Sequence, residues 1–239
     1  MKLNWIKLTT NTSKTKPTVF TCKYLNQLPN IFFHNTCLEW VDSIKYLGIT
    51  IDKKLNFIQQ SKEVVQKLSK MQGVFYSMKN YMSKTTLLTL YHSLVYPVII
   101  QNIIIWGGVS ESNRKPINVS INKILRLILN VRYVNYIPTI PTNNMYVTLK
   151  LLKFDDIYKY FLLRFFHFVS YIRTDIFDSN FSHLLPSHNY ATRNRLINLP
   201  DVRLDIEKQF VIYQCCKLLN DLDLEFVNPQ SDYLLKKKF

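Results

Sequence analysis

The chain has 239 residues, of which 47% are hydrophobic and 14% aromatic, ample for a buried core, so at least part of it folds. Lys and Arg number 31 against 16 Asp and Glu, and the net charge of +15 gives a positive surface that favours polyanionic partners, nucleic acid first. An AT-rich coding sequence, suggested by the abundance of Asn, Ile and Lys, would enrich Lys without any selection for binding, so charge by itself leaves that reading open. Cys22, Cys37, Cys215 and Cys216 form no CxxC pair, and free thiols in a reducing intracellular compartment, nucleus or cytoplasm, are expected. No apolar leader follows Met1. The most apolar stretch, 94–109, is too short for a bilayer and contains Pro97, Gln101 and Asn102, so no membrane partner is expected.

In chain order, residues 2–8 read as the last turns of a helix, and Lys14 to Lys16 as a loop entering a strand at Pro17 to Phe20. Ile31 to His34, Leu38 to Val41 and Lys45 to Ile49 are short β-favouring runs, the first two joined by Asn35-Thr36, and together they predict a small antiparallel sheet. From Phe57 the period becomes helical. Val65, Leu68, Met71 or Gln72, Phe75 and Met78 fall on one stripe, with Lys62, Lys67 and Lys70 mostly off it, which predicts a long amphipathic helix ending near Tyr81. Ser83 is a candidate N-cap for a second helix with Leu87, Leu90, Leu94 and Val95 on its apolar face, and Pro97 should kink or divide it. A third helix is expected over 117–130, a linker over 135–144, a long aromatic-rich helix over 148–172, an irregular arm over 183–200 and a last helix over 207–219. The tail Lys236-Lys237-Lys238-Phe239 reads as solvated. The fold class is α+β, mainly α.

Three patterns that could suggest chemistry do not carry it. Asp155 and Asp156 follow Phe154 at a predicted helix start, where carboxylates favour the positive end of the helix. His183, His188, Cys215 and Cys216 have no zinc-site spacing. With four glycines in all, no phosphate-cradling glycine loop is present.

The succession Tyr46-Leu47-Gly48-Ile49-Thr50-Ile51-Asp52, Leu90-Tyr91-His92-Ser93-Leu94-Val95-Tyr96-Pro97 and Ile105-Trp106-Gly107 resembles the end of a non-LTR (LINE, jockey-type) retrotransposon reverse transcriptase. Asn11 to Lys16 before Val19-Phe20, Asn122 to Arg126, Leu151 to Lys159 and His188-Asn189-Tyr190-Ala191-Thr192-Arg193 extend the resemblance through nearly the whole chain. Two departures stand out. Gln101-Asn102 occupies the place of the family's Tyr-Gly, and Cys215 to Asn220 that of its Gly-Pro-x-x-Trp-Asn.

The resemblance implies a palm remnant over 1–56, a helical thumb over 57–134 and a connection-like helical region over 135–239. It implies a primer-grip turn at Tyr46, Leu47 and Gly48, where glycine lets nucleic acid approach the backbone. Thumb contacts to phosphates would come from Lys62, Lys67, Lys70, Lys79, Lys123 and Arg126, with a solvated helix face as the competing account of each. Lys14 matches a position assigned to the leaving pyrophosphate in the parent enzyme. No catalytic residue and no cofactor are assigned within the chain. Mg²⁺ is implied for the parent polymerase, whose metal-binding carboxylates are expected upstream of Met1. The implied partners are an RNA/DNA primer–template duplex and the parent's N-terminal fingers and palm. A stand-alone basic module that binds nucleic acid without chemistry, or a degenerate transposon relic, are the alternatives.

Overall fold

The computed structural model describes residues 15–21, 28–33, 35–131, 133–134, 137–181, 184 and 197–222. The helix expected at 2–8, Lys14, most of the arm over 183–200 and the basic tail lie outside these residues. The chain divides into two compact units, residues 1–60 and 61–239.

The first unit holds two antiparallel hairpins, β1 (Ile31–Phe33) with β2 (Thr36–Leu38), and β3 (Ser43–Tyr46) with β4 (Ile49–Asp52). The expected antiparallel pairing is present, but as separate pairs. Beyond β2 the backbone is engaged elsewhere: the Val41 N–H donates to the Pro17 carbonyl and the Lys53 N–H to the Asp42 carbonyl. In the second hairpin Tyr46 faces Ile49 across Leu47 and Gly48, whose φ values of 47° and 83° give the sign pattern of a type I′ turn. The β-favouring run Lys45 to Ile49 therefore reverses at Leu47-Gly48, within the Tyr46-Leu47-Gly48 segment expected to form a turn. The buried Thr50 N–H donates to the Gln60 Oε1 at 2.9 Å, which ties β4 to the start of the first helix.

That helix, α1 (Ile58–Met78), buries Val64, Leu68 and Phe75. Its apolar stripe runs close to the expected one, with Val64 more deeply buried than Val65. The Ser83 Oγ accepts from the Thr86 N–H at 3.2 Å and so caps α2 (Lys84–Leu90), as its residue type predicts. The chain then widens into a π-turn, Tyr91–Val95, in which the Tyr96 N–H reaches the Tyr91 carbonyl, before α3 (Tyr96–Ile100). Pro97, lacking an N–H, sits in the first turn of α3, where that loss is tolerated.

Between α3 and α4 (Ile103–Trp106) the chain turns on Asn102, at φ 54°. Asn follows glycine as the residue best suited to this left-handed region. α5 (Glu111–Ile128) starts earlier than expected, because the polar turn before Pro116 carries no apolar periodicity to reveal it. Two two-residue strands, β5 (Tyr133–Val134) and β6 (Ile137–Pro138), precede α6 (Thr142–Leu149). The helix expected to run from 148 to 172 is two. Lys150, at φ 52°, closes α6 by donating to the Tyr146 and Val147 carbonyls, and α7 (Phe154–Tyr171) begins afresh. α8 (Thr174–Asn180), a 3₁₀ turn at Asp205–Gln209 and α9 (Val211–Asp221) complete the described elements.

The core of this second unit centres on Trp106, fully buried, with its ring 5.6 Å from that of Phe154 and its Nε1–H donating to the Gln101 carbonyl at 2.7 Å. Ile99, Ile103, Ile117, Ile121, Ile124 and Leu125 are also fully buried. Gly107 is required by packing: a Cβ there would collide with the Tyr158 side chain and the Ile103 carbonyl. Gly107→Ala is therefore expected to destabilise the fold by about 1–3 kcal/mol through overpacking, read as a lowered denaturant midpoint by circular dichroism.

Candidate nucleic-acid interface

α1 carries Lys62, Lys67 and Lys70, half of the side chains expected to meet phosphates, and Lys79 follows its last residue. Lys62 and Lys70 are exposed on the side of α1 away from Val64, Leu68 and Phe75, while Lys67 lies at the margin and is half-buried. At the helix end, the Lys79 ammonium stands 4.7 Å from the Tyr76 ring centre, a cation–π contact that restrains its long side chain. Gly73 falls among the exposed positions, with nothing within 4 Å of where its Cβ would be, so neither packing nor an unusual φ accounts for a glycine there.

The chain has no acidic residue between Glu63 and Glu111, a run that begins after the first turns of α1 and includes the whole of α2 to α4. Lys70, Lys79 and Lys84 have no acidic residue within four positions, whereas Lys67 lies one turn after Glu63 on α1. This absence of acid, together with Tyr76 and the 89% exposed Tyr81 beside Lys79, extends the basic stretch beyond the lysines singled out from periodicity.

The remaining expected contacts sit in different surroundings. Lys123 is exposed on α5, but Arg126 on the same helix is partly buried, and its Nε–H has no partner. Arg126 belongs to a cluster around Tyr146, whose hydroxyl donates to the Asn122 Oδ1 at 2.8 Å. Burial pushes the Tyr146 phenol up to about 12; the nearby carboxylate of Asp155, and more weakly that of Asp156, adds to the rise, and Arg126 opposes it. In the first unit, Tyr46 and Leu47 project into solvent at 61% and 76% exposure, and Gly48 follows them in the turn. Lys14 lies outside the described residues.

Asp155 and Asp156 occupy the first turn of α7, the helix start read from the sequence. Asp155 is ion-paired to Arg114 at 2.6 Å, a contact across 41 residues that no local pattern signals. Among the described residues no three His, Cys, Asp or Glu side chains gather as a metal site. Cys37 is exposed and free. Cys215 and Cys216 are free and buried, and burial pushes both thiols up, that of Cys216 to about 11. No described helix is long and apolar enough to cross a membrane.

Over 133 residues, 54% of its length, the chain is 32% identical to the probable RNA-directed DNA polymerase from transposon BS of Drosophila melanogaster. The chain is related to transposon reverse transcriptases. A second relative, the probable RNA-directed DNA polymerase from transposon X-element of the same fly, is 28% identical over 121 residues, 49% of the chain. The matched stretches cover 15% and 13% of these two polymerases, so the chain corresponds to a small part of either. No protein-family profile matches the chain, and no solved structure does.

The buried Tyr146 makes alkaline stability a test of the cluster. Its folded-state pKa lies above the ordinary value of 10, so its contribution is fully present below pH 10 and is lost as pH rises through about 12. Chemical denaturation between pH 9 and 12 should show stability falling, and Tyr146→Phe should remove on the order of 2 kcal/mol of that fall.

Proposed function

We infer that the chain serves a reverse-transcriptase-type polymerase by gripping nucleic acid, with the exposed side of α1 laid along the phosphate backbone of a primer–template duplex. The observation that carries this reading is the pair of exposed lysines, Lys62 and Lys70, on the open side of α1, followed by the acid-free run between Glu63 and Glu111. Such an arrangement neutralises phosphates and releases counterions without reading bases. Gly73 adds to it. A glycine in the middle of a helix costs about 1 kcal/mol relative to alanine, and no contact among the described residues offsets that cost, whereas a backbone approaching α1 at this point needs the side chain absent.

On this reading Lys67 and Lys79 hold their ammonium groups beside the same backbone, Lys79 braced by Tyr76. Lys123 adds a contact from α5, and Arg126 acts by holding the Tyr146 cluster or through its unpartnered Nε–H. The turn Tyr46-Leu47-Gly48 meets a strand through its exposed apolar tip and its glycine, and Lys14 serves the pyrophosphate side of the parent's reaction. The chain's own task is to hold the duplex; catalysis and the Mg²⁺ it needs belong to the parent's fingers and palm.

The chain should bind an RNA/DNA hybrid with little sequence preference and with affinity that falls steeply with salt. Fluorescence anisotropy across a salt series is expected to show the slope of log K against log salt reduced by up to roughly 0.9 for each lost phosphate contact in Lys62→Gln, Lys67→Gln, Lys70→Gln. Gly73→Leu separates binding from folding: it should raise helix stability by about 0.8 kcal/mol and still weaken the duplex complex. An unchanged slope in the triple variant would return these lysines to an ordinary solvated face.

A further inference from the structure

The end of α1 and the turn that joins it to α2 carry two aromatic side chains that the fold leaves in solvent. Tyr81, in the turn, is 89% exposed, and Tyr76, in the last turn of α1, is 64% exposed. The backbone that presents them is tied down. The Met78 carbonyl accepts from the N–H groups of both Tyr81 and Met82, at 3.0 and 3.1 Å, and the Ser83 cap opens α2 directly afterwards. A tyrosine adds only two side-chain torsions to such a backbone, so little freedom remains to be lost when a flat partner settles on its ring.

The side chains around these rings are basic or neutral. Lys79 holds its ammonium 4.7 Å from the Tyr76 ring centre, Lys84 is exposed at the start of α2, and the sequence has no acidic residue from 64 to 110. Neither lysine is taken by an ion pair among the described residues. Tyr76 follows Gly73 at i+3 on the same exposed side of α1, and the space where a Gly73 Cβ would stand is empty to 4 Å. A bare stretch of backbone, a phenol ring, an ammonium and a second phenol ring thus succeed one another. Phosphate contacts account for the lysines and leave the rings without a task. A duplex turns the faces of its bases inward except at its ends, whereas an unpaired base offers its face to any exposed aromatic ring.

We propose that the α1–α2 turn binds an unpaired stretch of nucleic acid, the single strand that continues beyond the duplex held on α1. Tyr81 and the open part of the Tyr76 ring stack on its bases, and Lys79 and Lys84 meet the phosphates beside them. Every base has such a face, so the site takes the strand without reading its sequence. The placement rests on the reading that α1 carries the duplex, and it adds to that reading the form of the substrate: a hybrid with a single-stranded extension in preference to a fully paired one. The extension belongs either to the RNA strand or to the DNA strand.

Fluorescence anisotropy tests this on the full chain with four probes: a blunt RNA/DNA hybrid, the same hybrid with an overhang of about six nucleotides on its RNA strand or on its DNA strand, and the free single strand. An overhang is expected to tighten binding by about tenfold over the blunt hybrid, the factor that one stacked base carries. The strand whose overhang gives the larger gain is the occupant. Tyr81→Ala should bring the gain close to about one and Tyr76→Ala should reduce it, while Tyr81→Phe keeps it, because the ring does the stacking and the hydroxyl does not. The gain should persist as salt is raised, whereas one that came only from added phosphates would shrink. Both alanine variants should keep the wild-type circular dichroism spectrum, since both side chains are exposed. Equal binding of blunt and overhung hybrids by the wild type, or a gain unchanged in both alanine variants, would overturn the proposal. A blunt hybrid that does not bind, beside a free strand that binds and is weakened by Tyr81→Ala, would remove the duplex from α1 and leave the single-strand site in place.

Discussion

The helical unit is organised by the burial of one indole. Trp106 sits on a four-residue helix too short to be stable alone, and its ring is held by the Gln101 carbonyl on one side and by Phe154 of α7 on the other. For the indole to reach that position the chain must reverse between α3 and α4, which Asn102 achieves with a positive φ. It must also approach α7 without side chains immediately after the indole, which Gly107 and Gly108 allow. Tyr158 then lies over both glycines, and with it the face of α7 that looks onto α9. Removal of any of these conditions moves α7, and with it the Arg114–Asp155 pair.

A division of labour between charges follows from this packing. From the residue after Glu63 to the end of α4 no acidic residue occurs, whereas Asp155 has intramolecular work at the start of α7 and against Arg114. The basic residues of α1 have no such partners among the described ion pairs and remain available to an external polyanion. Arg126 shows the contrast within one helix. One turn from the exposed Lys123, it is drawn towards Tyr146 and the α7 carboxylates, so equal charge in the sequence does not mean equal availability.

The readings that depended on local physics transferred well to the structure. The stripe of α1, the Ser83 cap and the interruption at Pro97 each follow from side chains within one or two turns, and all three are present. The resemblance to reverse transcriptases, drawn from motifs such as Ile105-Trp106-Gly107, agrees with the two transposon relatives. What local patterns could not reveal were decisions made by contacts. Lys150 ends α6 in a left-handed conformation that no glycine marks, so α6 and α7 read as one helix. The Arg114–Asp155 pair joins residues 41 apart.

If nucleic acid lies along the open side of α1, lysine-reactivity footprinting will show it directly. The chain would be acylated briefly with and without an RNA/DNA hybrid, and each lysine quantified by mass spectrometry. Lys62 and Lys70 should lose reactivity when the duplex is present, while Lys115 and Lys153, exposed elsewhere on the helical unit, should keep theirs. Equal reactivity of Lys62 and Lys70 in the two states, with protection falling on Lys115 or Lys153 instead, would contradict the account.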